Sequence, residues 1–260
     1  MTTILVDADI VAYKVAIRNQ EVHDFGDTGK ATLLDHERCI SDIDQIIGEY
    51  ATKLKASKVV VCQSDPDVNF RKQLEPTYKS QRVTIEKPEL LQWAKEYMHD
   101  EYQSFIRPRL EADDVMGIIA TAGDRFIEGR KIIVSEDKDM RTIPGEVYHP
   151  NRAELGVLKI SRLDADLFHL WQTVVGDPTD GYPGCPGVGP GGRFVEYAPD
   201  ILECRTGLEA WDLVLEAYAS KGLTEDDAVH QARLARILRD GDYNYKSKRI
   251  RLWTPLCLLW

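Results

Sequence analysis

Basic residues are the minority in this 260-residue chain: 33 lysines and arginines stand against 43 aspartates and glutamates, a formal net charge of −10 at pH 7. Taken alone, that balance argues against a polyphosphate partner, which normally asks for a basic surface. Cysteine is sparse. The five present (Cys39, Cys62, Cys185, Cys204 and Cys257) are odd in number, far apart and without a C-x-x-C pair. That excludes a disulfide framework or a cysteine zinc site and suits a reducing compartment. No long hydrophobic run occurs; Leu256 to Trp260 is among the longest, far short of the roughly 20 residues of a membrane span. Nor does Met1 introduce the basic and apolar regions of a secretory signal, since Ile4-Leu5-Val6 follows almost at once. A soluble, cytoplasmic protein is therefore expected. With 43% hydrophobic and 29% charged residues, wholesale disorder is excluded. The length suffices to bury a core without cross-links.

Short apolar or β-branched runs alternate with helical patterns. Ile4 to Val6, Lys58 to Cys62, Phe105-Ile106 and Lys131 to Val134 read as strands. Asp35 to Leu54, Pro88 to Asp100, Asp113 to Thr121 and Leu163 to Val175 space their apolar residues by three and four, as helices do. This alternation predicts an α/β fold with a mostly parallel central sheet flanked by helices. Residues 176–192 hold seven glycines and four prolines, which no long helix survives. Two more helical patterns follow, near 207–220 and 224–239. We therefore expect a core over residues 1–175 and a helical portion over 176–260, with no internal repeat.

Acidic residues recur where strands end and helices begin. Asp7 and Asp9 close the first strand, Asp65 lies past the second, and Glu111, Asp113 and Asp114 open the helix after the third. Asp137 and Asp139 follow the fourth, and Asp177 and Asp180 sit at the change of texture. A parallel sheet collects ligands at the carboxyl ends of its strands. If 135–139 continues extended, Asp137 and Asp139 point to one side. Glu111 and Asp114, like Asp177 and Asp180, have a spacing of three. Any one cluster could be a helix-start preference or turn chemistry, but recurrence at strand end after strand end is poorly explained that way. So many converging carboxylates repel one another unless cations neutralise them. All-oxygen ligation implies a hard ion, Mg²⁺ or Mn²⁺, and two such ions suit phosphodiester hydrolysis.

Basic groups accompany the acids. Arg71, Lys79 and Arg82 follow Asp65 and could hold a scissile phosphate, or be a solvated helix face. A second set, Arg233, Arg236 and Arg239 with Lys246, Lys248, Arg249 and Arg251, interleaves with Tyr243, Tyr245 and Trp253; it could track a nucleic-acid backbone or be plain surface. Gly187-Val188-Gly189 could present backbone N–H groups to a phosphate.

With these residues in place, most of the chain resembles the flap-endonuclease/5′→3′ exonuclease superfamily. Asp7 in ILVDAD matches the family's strand-end aspartate, and FRKQLEPTYKSQR matches its FR…YK…R segment. Glu111-Ala112-Asp113-Asp114, Asp137-Lys138-Asp139 and GDPTDGYPGCPGVG match its three later motifs. DKDMRTIP, HLWQTVVGDPTDGY and ARILRDGDYNYKSKRIRLWTP look most like the 5′→3′ exonucleases of short-tailed bacteriophages. The resemblance implies a PIN/FEN-like sheet with a helix–three-turn–helix DNA-binding element in the helical portion. It implies removal of nucleotides from 5′ ends of duplex DNA, and of RNA from RNA–DNA hybrids, in phage replication and recombination within the host cytoplasm. Two Mg²⁺ ions, with Mn²⁺ able to substitute, and K⁺ at the helical turn element are the implied cofactors.

On this reading Asp7, Asp65, Glu111, Asp113 and Asp114 hold the tighter metal site, and Asp137, Asp139, Asp177 and Asp180 shape the second. Lys79 and Arg82 act on the scissile phosphate. Arg71, Gly187, Val188, Gly189 and Arg193 contact DNA. The sequence departs from the pattern at Cys62-Gln63-Ser64, which separates the strand from Asp65 and leaves Asp67 a competitor. It departs again at Gly181, where many members have Asn, and at Gly191-Gly192-Arg193, which lacks the usual Lys-Thr. A 5′-flap endonuclease is the alternative. A haloacid-dehalogenase-type phosphatase, with Asp7 as nucleophile, Asp9 as acid and Val11 two residues on, is more distant. So is a DNA-binding module without catalysis. The metal-site carboxylates account for most of the net negative charge, which reopens the case for nucleic acid.

Overall fold

Ile4, Leu5 and Val6 are each fully buried, because the first strand, β1 (Thr2–Asp7), lies inside a sheet covered on both faces. Its side chains alternate. Ile4 and Val6 enter one apolar core with Val61, Ile132 and Val134, and Leu5 enters a second with Val60, Cys62 and Ile133. Continuous apolar strands of this kind are what doubly covered parallel sheets require. A computed structural model describes the chain over residues 1–26, 29–84, 86–188 and 198–259. After β1 come α1 (Ala8–Arg18), the exposed hairpin β2 (Gln20–Asp24) and β3 (Lys30–Leu34), α2 (His36–Lys53), β4 (Lys58–Gln63) and α3 (Phe70–Leu74). Then follow α4 (Leu90–Glu101), β5 (Gln103–Ile106), α5 (Ala112–Thr121), β6 (Arg130–Val134), β7 (Gly145–Tyr148) and β8 (Val157–Ile160).

The six-stranded sheet has the order β5-β4-β1-β6-β7-β8. Every pairing is parallel except β7 with β8. Chain order reverses across β1, with β4 on one side and β6 on the other, so the carboxyl ends of β1 and β6 flank a topological switch point. Asp7 ends β1 there, and Ser135 follows β6.

The remaining helices are α6 (Arg162–Val175), α7 (Ala198–Glu203), α8 (Gly207–Ala219) and α9 (Glu225–Ala235), followed by the short hairpin β9 (Tyr243–Asn244) and β10 (Arg249–Ile250). Leu167, Leu170, Val174 and Val175 of α6 share a core with Ile201, Trp211, Val214 and Ala228. Helix α6, ahead of the expected boundary at 175, thus packs with the helical portion. From 237 the chain returns to the sheet, where Ile237, Leu238 and Tyr243 join the β5–α5 core. Contrary to the reading of 224–239 as one helix, α9 stops at Ala235 and Arg236 is extended. Arg236 and Arg239 are buried, paired with Asp242 and Asp166 respectively, so they are not on a DNA-facing surface.

The return is tight. A Cβ on Gly117 of α5 would lie 2.4 Å from the Leu238 carbonyl oxygen. Gly117→Ala ordinarily favours a helix interior by about 0.5–1 kcal/mol, but here the clash should outweigh that and cost about 1–3 kcal/mol in urea unfolding. A stabilised variant would show that the segment yields freely.

Candidate active site

Asp7 caps α1, its Oδ1 accepting the Ile10 N–H at 3.2 Å, while the Ser135 hydroxyl donates to its Oδ2 at 2.9 Å across the switch point. Burial first, and then the Asp9 and Asp137 charges, push its carboxyl up to about 7. Burial with the charges of Asp7 and Asp137 pushes Asp113 well above the usual carboxylate range. Burial and Asp137 raise Asp139 to about 6, although Lys138 opposes them. Among the described residues no lysine or arginine pairs with Asp7, Asp113 or Asp137. Asp9, beside Asp7, does have a cation: Lys95 lies 2.8 Å away, and the Ser64 N–H at the end of β4 also points to it.

The other acids are matched. Lys79 Nζ donates to Glu111 at 2.5 Å and lies 3.4 Å from Asp180. Burial alone would raise Glu111, but Lys79 and Arg71 outweigh it and hold the carboxyl at about 2. Lys79 adopts the left-handed region (φ 55°), uncommon for a lysine and frequent at functional sites. Its backbone N–H is tied to the Asp180 carbonyl at 2.8 Å. Arg82 reaches Asp180 at 2.7 Å. The buried Tyr78 hydroxyl stands 3.1 and 3.0 Å from Glu111 and Asp180. Lys138 bridges Asp177 (2.6 Å) and Asp139 (2.9 Å), and burial notwithstanding it keeps Asp177 below its ordinary value. The sequence reading assigns no role to Ser135, Lys138, Tyr78 or Lys95, nor to Gln172, which donates to Asp139 at 2.5 Å. Tyr78, Lys138 and Gln172 lie inside quoted motifs, which is the hint the sequence offers of them.

Several expectations are corrected. Residues 135–139 do not continue extended: Asp137 caps a 3₁₀ turn over Lys138–Thr142, accepting the Asp139 N–H, so Asp137 and Asp139 do not share a side by strand alternation. Asp114 is 0% exposed. Its oxygens accept from the two Arg71 Nη groups at 2.7 and 2.8 Å and from the N–H groups of Leu238 and Glu111, so each is already doubly hydrogen-bonded within the protein. Arg71, 3% exposed, also donates to Glu111 and to the carbonyls of Leu234 and Arg236, so it braces the site from within rather than standing on an exposed surface. Asp65 is spent on backbone N–H groups of Asp67, Val68 and Arg109, which overcome burial and lower its pKa; Asp67 is exposed. The Val188 side chain is buried in the helical core. Gly187 is exposed with φ 81°, whereas Gly189 and Arg193 lie outside the described residues.

Among the described residues, no three carboxylate, imidazole or thiolate groups stand close enough together to hold a metal ion as they are. Five of these acids line two grooves of about 460 and 450 Å³ that share Ile10 and Glu136, whereas Glu111 and Asp113 line neither. Asp7 opens on the first, and Asp137, Asp139, Asp177 and Asp180 on the second. Unmatched negative charge at the ridge suits a hard divalent cation.

A parallel sheet with this acidic switch point, lysine and arginine interleaved, defines a PIN-like α/β nuclease. The chain belongs to the 5′-3′ exonuclease family, whose N-terminal resolvase-like domain matches residues 2–156. It is similar to the exodeoxyribonuclease of Enterobacteria phage T3, 34% identical over 257 residues that cover 85% of this chain and 82% of that protein. It is also similar to the exonuclease of Escherichia phage T7, 33% identical over 252 residues covering 85% and 83%. Among solved structures, the bacteriophage T5 flap endonuclease in complex with DNA and metal ions shares the fold. Its TM-score is 0.52 at 16% identity, over 90% of this chain and 99% of that one.

Proposed function

We propose that this exonuclease hydrolyses phosphodiester bonds from the 5′ ends of duplex DNA in phage replication and recombination, with two Mg²⁺ ions held by Asp7, Asp113, Asp137 and Asp139. The carrying observation is the cluster of carboxylates at the switch point, Asp7 buried and Asp113, Asp137 and Asp139 half-buried, of which Asp7, Asp113 and Asp137 have no lysine or arginine partner among the described residues. When bound, such ions supply an activated water and charge neutralisation at the leaving oxygen. Ser135 and Gln172 hold Asp7 and Asp139 in place. Glu111, Asp177 and Asp180 keep Lys79, Lys138 and Arg82 beside the cleft, where their N–H groups can meet the scissile phosphate. Gly187 to Arg193 is assigned to the duplex backbone, and RNA in RNA–DNA hybrids is a second substrate. Helix α4 and strand β5 pack into the body, which favours blunt and recessed ends over a threaded flap.

The test is release of 5′-labelled nucleotides from blunt duplex, 5′-flap and RNA–DNA substrates, with Mg²⁺ and with EDTA. Cleavage in EDTA, or none in Mg²⁺, overturns the reading. Lys79→Met should slow single-turnover cleavage about 10²-fold, the scale of one lost electrostatic donor, while changing duplex affinity far less. An unchanged rate would remove Lys79 from the reaction.

A further inference from the structure

The hairpin β9–β10 carries a second basic surface that the cleft does not use. Lys246, Lys248, Arg249 and Arg251 are exposed, and among the described residues no carboxylate pairs with any of them. In a chain with net charge −10, four neighbouring unmatched cations are a local reversal of sign. Lys246, Arg249 and Arg251 line a groove of about 660 Å³ together with Tyr243, Tyr245 and Arg125.

From the groove, Tyr243 and Tyr245 reach into the core that holds Val115, Ile118 and Ile119 of α5. At the groove's upper end Tyr243 lies within electrostatic reach of Arg107, Arg109 and Asp65, at the carboxyl end of β5. The Arg109 N–H holds Asp65 at 2.6 Å. At its lower end Tyr245 packs on Phe126 with ring centroids 4.9 Å apart, next to Arg125, which is paired with Asp240. Helix α5, which begins at the catalytic acids, spans 10 residues, ~15 Å at 1.5 Å per residue. The buried Tyr243 and Tyr245 hydroxyls and Arg109 Nε have no protein hydrogen-bond partner among the described residues.

We propose that this groove binds the 3′ single-stranded tail of the DNA. The inference rests on the 5′→3′ exonuclease reading. Each nucleotide removed from a 5′ end leaves its complement unpaired, so every substrate after the first cut carries a growing 3′ tail. A cationic groove walled in part by the half-exposed Tyr245 ring, with Tyr243 buried beneath it toward Asp65, has the chemistry that single strands prefer: backbone neutralisation with a place for a base to stack. Holding the tail keeps the enzyme on its product between cuts.

Fluorescence anisotropy in EDTA would compare a blunt duplex with the same duplex carrying a 3′ tail of roughly ten nucleotides, within the span typical of one single-strand groove. Wild type is expected to bind the tailed duplex more tightly. Arg249→Ala/Arg251→Ala should bring the two affinities together and leave blunt-duplex affinity and the rate of the first cut unchanged. Its log K against log[salt] slope on the tailed duplex should shrink by about 0.7 per lost contact. Lys246→Ala, a single exposed change, should show a smaller shift in the same direction. Wild type without tail preference, or variants that retain it, overturns the proposal. Equal loss on both substrates makes the groove a duplex site and also overturns it. Absence of any 5′ cleavage by wild type in Mg²⁺ would instead overturn the underlying exonuclease reading.

Discussion

Asp7→Asn is expected to melt at a higher temperature than wild type in EDTA at pH 8, while cleaving DNA about 10³-fold more slowly in Mg²⁺. The Asp7 carboxyl is pushed up to about 7 by burial, Asp9 and Asp137. A raised acid binds its proton more tightly in the folded state, so stability is fully present below about pH 4 and is lost as pH rises to about 7. Three pH units correspond to ~4 kcal/mol at 1.36 kcal/mol per unit, an upper bound because neighbouring carboxylates share the proton. About half of it would move the melting temperature by roughly 5 °C in a chain of this size. Asparagine keeps the acceptor for the Ile10 N–H and removes the charge. At pH 5, where wild-type Asp7 is already mostly protonated, the two proteins should melt close together. Thermal melts at pH 5 and 8, with and without Mg²⁺, check both halves; Mg²⁺ should stabilise wild type more than the variant. A variant destabilised at both pH values would remove Asp7 from the repelling cluster.

Central strands were legible because burial on both faces writes unbroken apolar runs, as in Ile4 to Val6 and Lys58 to Cys62. The hairpin β2–β3 escaped because QEVHD and KATLL lie largely in solvent, where no periodicity is selected. Strands β7 and β8 are four residues each, too short for a period of two to declare itself. Helix α9 read too long because the apolar spacing continues through Ile237 and Leu238. Those residues are buried against α5 and not within a helix.

The acids of the site were legible for a topological reason: strand ends are where a parallel sheet presents ligands. Their division into metal-facing and matched groups was not. Asp113 and Asp114 are adjacent, yet successive helical side chains diverge by about 100°. One therefore joins the repelling cluster and the other meets Arg71, 43 residues away in sequence. Lys138 meets Asp177 from 39 residues away. Such pairings depend on tertiary placement, and no local pattern encodes them. The negative net charge misled in the same way, since an average over the chain hides both the acidic switch point and the basic hairpin.

Arg71→Met should be the most destabilising single change at this site. Arg71 joins α3 to α5 and to the last turn of α9 and the residue after it through Asp114, Glu111 and the Leu234 and Arg236 carbonyls. Removing it leaves the Asp114 carboxylate charged, buried and unpaired, which costs about 3–5 kcal/mol, a large share of the ~5–15 kcal/mol that holds a typical domain together. An exposed DNA-contacting arginine would behave differently, with unfolding unchanged and salt-dependent binding weakened. Arg71→Met/Asp114→Asn separates burial of charge from loss of contacts. Asparagine still offers an oxygen to the Leu238 and Glu111 N–H groups but carries no charge, so the double variant should recover part of the loss and exceed Arg71→Met in urea midpoint. Additive or worse losses would mean that the guanidinium acts through its carbonyl bonds to Leu234 and Arg236, with the ion pair incidental.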